Sequence, residues 1–565
     1  MHPVVEVPSA WWLTGKPGLP TSSRLESPHG PAYHVKECLQ RQAPEENGAT
    51  HNQNAWDALS LRRLVRERLP GQQIMVVSNR QPHSHIRDKG RVRIEQTAGG
   101  LVTALEPVIR ACGGTWIAHG SGNADHEVVD RSGGWTATGT AGNYRLRRVW
   151  LSALQQRGHG DGFSNAGLWP LCHLAHVKPC FRQADWRQYL EVNRLFAQAV
   201  VSESRGPDPI VLVQDYHLAL VPAMVRKQLP AATVVSFWHI PWTHNEQMSQ
   251  CPWLDEIVDG LMGSDIVAFQ TAQHAGNFSL SARSVGVAVD ACCAQGRQPW
   301  SPNPLVRNYP ISIAWPEQRG LHLADVDDVA DVRPCPVRRH YGVPENVKLI
   351  VGVDRLDYTK GLVERMHALE ELLLTRPEWR GRVRLVQVAA PTRAGVSGYS
   401  ALHAELRFEV ARINARFSLD GVEPILLLDQ HHGRDTLDAL YRAADVCLIT
   451  SLHDGMNLVS KEFVAARDDE HGVLVLSQFA GAAYELTQAL IVNPFNINQV
   501  SEALHRGLVM PPEQQRERMR ALRETVKSCN VFRWAARMLL DVATLRDAAP
   551  LQTPKKAASQ SLTAR

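Results

Sequence analysis

No apolar run in this 565-residue chain approaches the length of a membrane span, so a transmembrane protein is not expected. Charge of one sign is also missing. The 61 basic and 57 acidic residues leave a formal charge of +4, which gives no case for nucleic acid or another polyanion as partner. The ten cysteines include no C-x-x-C pair, and Cys292 and Cys293 are adjacent. That pattern suits neither a disulfide framework nor a zinc site, and it reads as reduced thiols in a cytosol, hence a cytoplasmic protein. The amino terminus has no basic segment followed by an apolar one, so no secretory signal is read there. What remains is ordinary for a globular chain, with 44% hydrophobic and 21% charged residues, and long enough for two or more domains.

Residues 1–70 carry scattered prolines (Pro3, Pro8, Pro17, Pro20, Pro28, Pro31, Pro44) among polar residues and are expected to be largely irregular. Within them Trp56, Leu59, Leu64 and Val65 fall near helical spacing and predict a helix capping the edge of the next domain. A first α/β block spans 71–325. Its strands are read at Ile74 to Val77, Ile210 to Val213, Thr233 to Trp238 and Ile266 to Phe269, each ending in polar residues. After an Asp-rich linker (Asp325, Asp327, Asp328, Asp331), a second block over 335–547 repeats the alternation. Its strands are read at Leu349 to Val353, Val383 to Val388, Ile425 to Leu428, Val446 to Thr450 and Val473 to Leu476. Strands alternating with helices mean a parallel sheet, and two such blocks predict two Rossmann-like domains. Residues 548–565 are expected to fray.

The densest chemistry lies in Ser451-Leu452-His453-Asp454-Gly455-Met456-Asn457-Leu458-Val459-Ser460-Lys461-Glu462, between a buried strand and a helix read over Met456 to Arg467. At such a turn Asp454 is expected to cap the helix. The free N–H groups of the first turn, with close approach allowed by Gly455, suit a diphosphate. Glu462, one turn after Leu458, hangs from the same face and is placed to reach another part of that ligand. The Gly99-Gly100 turn before Leu101 is a second, weaker phosphate cradle.

These motifs resemble the trehalose-6-phosphate synthase family, retaining glycosyltransferases of the glycosyltransferase B architecture. The resemblance rests on V-V-S-N-R at Val76 to Arg80, A-G-G-L at Ala98 to Leu101, F-S-N-A-G-L-W-P at Phe163 to Pro170, Q-D-Y-H at Gln214 to His217 and H-I-P at His239 to Pro241. It continues through F-Q-T at Phe269 to Thr271, R-L-D-Y-T-K-G at Arg355 to Gly361, D-G-M-N-L-V-S-K-E at Asp454 to Glu462 and S-Q-F-A-G-A-A-Y-E-L at Ser477 to Leu486. It implies an α/β protein whose two Rossmann-like domains face each other across a cleft, the nucleotide sugar mostly on the second. Position by position it implies that Arg355 and Lys360 hold the donor diphosphate, with Gly100 near the phosphates and the amides of Asn457 and Leu458 at the helix start. Asp454 would bind the donor sugar hydroxyls, helped by His239, and Glu462 the ribose. On the acceptor side it implies Arg80 and Arg393 for the phosphate and Trp169 and Asp215 around the sugar.

The implied reaction moves glucose from UDP-glucose to glucose 6-phosphate, giving trehalose 6-phosphate and UDP, with no cofactor and no metal. Cations fixed at the diphosphate meet the charge that develops as the bond breaks. The only D-x-D pattern weighed for a divalent ion, around Asp325, lies in the linker. Partners are the two small-molecule substrates, with no nucleic acid or membrane and a homo-oligomer left open. The chain departs from the family at His159-Gly160-Asp161-Gly162, where Gly160 replaces a tyrosine expected at the acceptor phosphate, and at Gln214, Trp242-Thr243 and Ser312. Two other readings stay open: a glucosyltransferase acting on another phosphorylated acceptor such as glycerol 3-phosphate, and an inactive sugar-phosphate-binding regulator.

Overall fold

The apolar runs of the first block become an eight-stranded sheet in the computed structural model, which describes residues 56–97, 99–175, 177–287, 303–316, 336–392 and 397–548. Its chain begins with helix α1 (Ala58–Arg68), capped by the Asp57 carboxylate accepting from Ser60 N–H at 2.7 Å. The expected edge helix is therefore present, but Leu61 and Leu64 form its buried face and Leu59 points to solvent. Strands follow as β1 (Ile74–Arg80), β2 (His83–Asp88), β3 (Arg91–Gln96), β4 (Thr115–His119), β5 (Gly134–Ala137), β6 (Tyr144–Val149), β7 (Ile210–Gln214), β8 (Thr233–Trp238), β9 (Ile266–Phe269) and β10 (Leu305–Asn308). The sheet runs β10-β9-β8-β7-β1-β4-β6-β5. It is not wholly parallel, because β5 pairs antiparallel with β6, and β2 with β3 forms a separate antiparallel hairpin. Helix α2 (Gly100–Cys112) starts at the glycine pair. Residues Gln156–Leu168 wind as a π-helix, a form found often at functional sites.

The second sheet contains β11 (Lys348–Arg355), β12 (Val383–Ala390), β13 (Ile425–Leu428), β14 (Val446–Ile449), β15 (Val473–Ser477) and β16 (Leu490–Val492), ordered β13-β12-β11-β14-β15-β16. All its pairings are parallel. The inner strands are buried on both faces, which is why they read as unbroken apolar runs and not as alternating ones. Helix α3 (Leu362–Thr375) follows β11, and helix α4 (Leu458–Ala466) follows β14. The last helix, α5 (Val531–Ala548), packs against α1 and α2 beside the first sheet, where Trp534 Nε1 donates to Tyr309 O at 3.2 Å.

Each sheet has a point where the strand order reverses: β1 lies between β4 and β7, and β11 lies between β12 and β14. Open α/β sheets bind ligands outside the carboxyl ends of such strands. Arg80 ends β1 and Asp215 follows β7, while Arg355 ends β11 and Asp454 follows β14. Residues spread over nearly 400 positions are thus delivered to the two switch points. Among the described residues no helix is long and apolar enough to cross a membrane. The prolines of 1–55, Ala98, the Cys292-Cys293 pair, the Asp-rich linker, Arg393 and the tail from 549 lie outside the described residues.

Candidate active site

Two loops after β11 and β14 build one wall. In the first, the buried Asp357 carboxylate accepts from Thr359 N at 3.1 Å and Thr359 Oγ1 at 3.0 Å, closing a tight turn that presents Lys360. Gly361 continues at φ 62, and a Cβ there would lie 2.0 Å from Thr450 O, so only glycine lets the two loops close. Leu452 N donates to Thr359 O at 2.8 Å and ties them together. The Lys360 ammonium then meets Asp454 Oδ2 at 2.5 Å, with the side chains 11% and 13% exposed. Burial alone would raise the Asp454 carboxyl, but Lys360, His173 and the Asn457 amide outweigh it and hold it at about 2. Asp454 is ionised at any physiological pH.

Asp454 does not cap the helix as expected. The cap is Asn457, at φ 82, whose side-chain oxygen accepts from Ser460 N at 3.0 Å while its amide donates to Asp454 Oδ2 at 3.2 Å. The helix begins at Leu458, two residues later than read, and Asp454 is left to face Lys360. A Cβ on Gly455 would lie 2.2 Å from His239 O, so the loop after β14 touches the loop after β8. A Cβ on Gly100 would lie 3.0 Å from Leu458 Cδ1, which brings the glycine turn against the start of α4. Arg355 lies with its guanidinium carbon 5.5 Å from the centre of the Trp169 ring. Trp169 is buried against His173 and Tyr216, so it packs the core and carries the cation at once.

Glu462 lies one turn along α4 from Leu458 and accepts from the Tyr441 hydroxyl at 3.4 Å. Burial pushes its carboxyl up to about 7 against the pull of the Arg434 guanidinium. A ribose hydroxyl pair donating to it would favour the ionised form.

The opposite wall rests on glutamines. Ile311 N donates to Gln270 Oε1 at 2.9 Å, which turns the Gln270 amide nitrogen toward His239 Nδ1 at 3.1 Å. Nδ1 is therefore the acceptor, and Nε2–H donates to Gln214 Oε1 at 2.9 Å. Burial lowers the His239 imidazolium to about 4, so the ring is neutral with both nitrogens engaged. Gln214, the departure from the family pattern, is thus what fixes this histidine. Asp215 sits at φ 76 with Oδ1 accepting from Tyr216 N at 3.0 Å and His217 Nδ1 3.7 Å from Oδ2. Burial would raise its carboxyl, yet His217 and His239 bring it below the usual value. Arg80 is exposed at the end of β1, beyond a register shift between Ser78 and Arg80. His159 is fully buried, stacked on Tyr189, with Nε2 donating to His217 O at 3.0 Å, so it supports the wall from behind. A Cβ on Gly160 meets nothing within 4 Å.

Several groups here gave no sequence signal as site residues. Lys461 is buried and donates to Ile311 O at 2.8 Å and Glu485 Oε2 at 2.7 Å, locking α4 to the segment after β10. Arg365, also buried, binds Asp354 at 2.8 Å, Gln387 at 2.7 Å and Thr450 at 3.1 Å beneath the ends of β11 and β14. Both sit inside helices where a basic residue reads as solvated surface. Among the described residues, no three His, Cys, Asp or Glu side chains are placed to hold a metal ion.

The profile of glycosyltransferase family 20 matches residues 72–544. The chain is 40% identical over 474 residues to a trehalose-6-phosphate synthase of Mycolicibacterium smegmatis, covering 82% of this chain and 91% of that one. It is 38% identical over 488 residues to one of a Mycobacterium species, covering 84% and 97%. Among solved structures, an α,α-trehalose-phosphate synthase (UDP-forming) from Burkholderia xenovorans in complex with glucose-6-phosphate superposes with TM-score 0.70 at 32% identity, covering 83% and 99% of the two chains. An E. coli structure bound with UDP-2-fluoro glucose gives TM-score 0.71 at 32% identity, covering 84% and 99%.

Proposed function

The chain belongs to glycosyltransferase family 20, and from that premise we propose that it transfers glucose from UDP-glucose to glucose 6-phosphate, forming trehalose 6-phosphate and UDP. The observation that carries the reading is the Lys360–Asp454 pair between the loops after β11 and β14, just before the start of α4, whose free amides suit a diphosphate. The first sheet's side takes the acceptor through Arg80, Trp169 and Asp215, joined by Arg393. A structure of a similar enzyme contains glucose-6-phosphate, and another contains a UDP-glucose analogue, which supports this pair of substrates over the other acceptors and the inactive regulator.

In the reaction the bond between the donor's anomeric carbon and the β-phosphate oxygen breaks, and its electron pair leaves with UDP. The anomeric hydroxyl of the acceptor bonds to that carbon, and its proton passes to the departing phosphate oxygen. Arg355, Lys360 and the amides of Asn457 and Leu458 stabilise the growing phosphate charge. Asp454 orients the donor sugar and exchanges Lys360 for sugar hydroxyls as the diphosphate draws the ammonium away, while His239, its ring held by Gln214 and Gln270, aids by backing the Gly455 turn with its carbonyl. Glu462 holds the ribose. The residues supply the charge that a metal ion supplies elsewhere, so the reaction proceeds in EDTA. The test is incubation with UDP-glucose, EDTA and a panel of phosphorylated acceptors. Glucose 6-phosphate should be consumed to trehalose 6-phosphate. Turnover of glycerol 3-phosphate alone, or none without a divalent ion, would overturn the reading.

A further inference from the structure

A cavity of about 510 Å³ opens beside Asp454; His173, Thr359 and Leu452, which support the Lys360–Asp454 pair, line it on that side, and the rest of its lining has no part in the reaction. One side comes from the segment after Trp169 and from the start of helix Ala272–Ser284, the other from Leu452 and His453 and from the segment 478–495. Its volume lies in the range of small-molecule sites.

Three observations define what it takes. Large apolar side chains that are otherwise exposed gather here: Leu174 at 51%, Tyr484 at 63% and Phe495 at 54%, with the Phe495 ring edge-on to Phe479 at 5.8 Å. Such clustering marks a binding surface. Next to these rings, His274 is only 6% exposed and its Nδ1 has no hydrogen-bond partner, and His453 Nδ1 is likewise buried without one. An unpaired buried nitrogen is costly and asks for a polar ligand group. Finally, among the described residues no lysine or arginine lines the cavity, and the one carboxylate there, Asp454, is already engaged by Lys360. A phosphate or other anion finds no counter-charge. Burial lowers the His274 imidazolium to about 3, so the ring is neutral and, like the glutamine and threonine beside it, both donates and accepts hydrogen bonds. Hydroxyl groups have the same dual character.

We propose that this cavity binds an uncharged saccharide of one or two glucose-type rings as an effector distinct from both substrates. Its apolar ring faces lie on Phe495 and Tyr484, and its hydroxyls bond His274 and His453. The ligand touches both walls, which Tyr484 already joins by donating to Gln273 Oε1 at 3.1 Å, and it abuts the loop that carries Asp454. Its binding therefore changes donor affinity. The inference is read from the cavity's own lining and does not depend on the identity of the acceptor.

The experiment titrates the full chain with α,α-trehalose and, separately, with glucose by calorimetry, with UDP and glucose 6-phosphate both saturating. Saturable binding of at least one sugar is expected to persist there. Phe495→Ala should weaken it about tenfold or more, the scale of losing one buried ring face. Tyr484→Ala should also weaken it, and because the Phe495 side chain is exposed and makes no hydrogen bond across the walls, Phe495→Ala should keep the melting temperature and the basal turnover of the wild type. The sugar should shift the KM for UDP-glucose in the wild type but not in Phe495→Ala. The proposal is overturned if neither sugar binds saturably, or if bound sugar is displaced by the substrates and ignores Phe495→Ala, which places it in the catalytic cleft.

Discussion

Replacing Lys360 by alanine separates two jobs that the structure gives one ammonium group. Lys360 neutralises Asp454 at 2.5 Å, with both side chains nearly nine-tenths buried. An exposed ion pair is worth up to about 1 kcal/mol. A buried charge stripped of its partner costs about 3–5 kcal/mol, and that larger figure applies at these exposures. Burial is the force that raises the Asp454 carboxyl, and with Lys360 gone its value should climb well above about 2. The second job is at the leaving phosphate, where losing one fixed donor lowers kcat roughly 100- to 1000-fold. Denaturant unfolding and steady-state kinetics measure the two effects, and the double variant Lys360→Ala/Asp454→Asn distinguishes them. It should regain most of the lost stability, because no unpaired charge remains, and none of the lost turnover. Lys360→Ala turning over within tenfold of wild type would refute the leaving-group role. Recovery of turnover in the double variant would reduce Lys360 to a partner for Asp454.

Further outcomes follow from the same geometry. The Glu462 carboxyl, raised to about 7, is protonated below that pH, and ribose hydroxyls favour its ionised form; UDP-glucose affinity should therefore fall as the pH drops from about 8 to 6, and Glu462→Gln should make the profile flat. UDP-glucose is the right probe because its diphosphate has no group titrating in that window; a wild-type profile as flat as the variant's would remove Glu462 from the ribose. Gly455→Ala places a methyl 2.2 Å from His239 O, so the two loops must part, and kcat/KM should drop at least tenfold while the protein still folds. Gly160→Tyr meets open space at its Cβ and should lower the KM for glucose 6-phosphate about two- to tenfold, the worth of one neutral hydrogen bond. An unchanged KM would mean that the arginines alone define the phosphate site.

The strands that carry the site were legible because they are buried on both faces and leave unbroken runs such as Ile74 to Val77 and Val446 to Ile449. The β2–β3 hairpin was not, since all six residues of Arg91–Gln96 are exposed and only Val92 and Ile94 alternate with polar residues, too short a pattern to stand out. Nor was the wide winding of Gln156–Leu168, where four glycines erase any period. Asp454 was read correctly as a group at the strand end but wrongly as a cap, because Asp454 and Asn457 are both good capping residues and only the backbone turn at Asn457 decides between them. The chain Gln214–His239–Gln270–Ile311 joins four separate segments, and no spacing in the sequence announces it. Lys461 and Arg365 were missed for the opposite reason: their burial depends on partners, Glu485 and Asp354, that only the fold supplies.

The central claim is that the wall after β11 and β14 holds the donor while the wall after β1 and β7 holds the acceptor. Hydrogen exchange on the full chain, with UDP alone, glucose 6-phosphate alone and both together, tests it most directly. UDP alone should slow exchange in 355–361 and 454–462, glucose 6-phosphate alone in 163–170 and 215–217, and the pair should protect both sets more than either does separately. Protection by UDP confined to the segments after β1 and β7 would contradict the account.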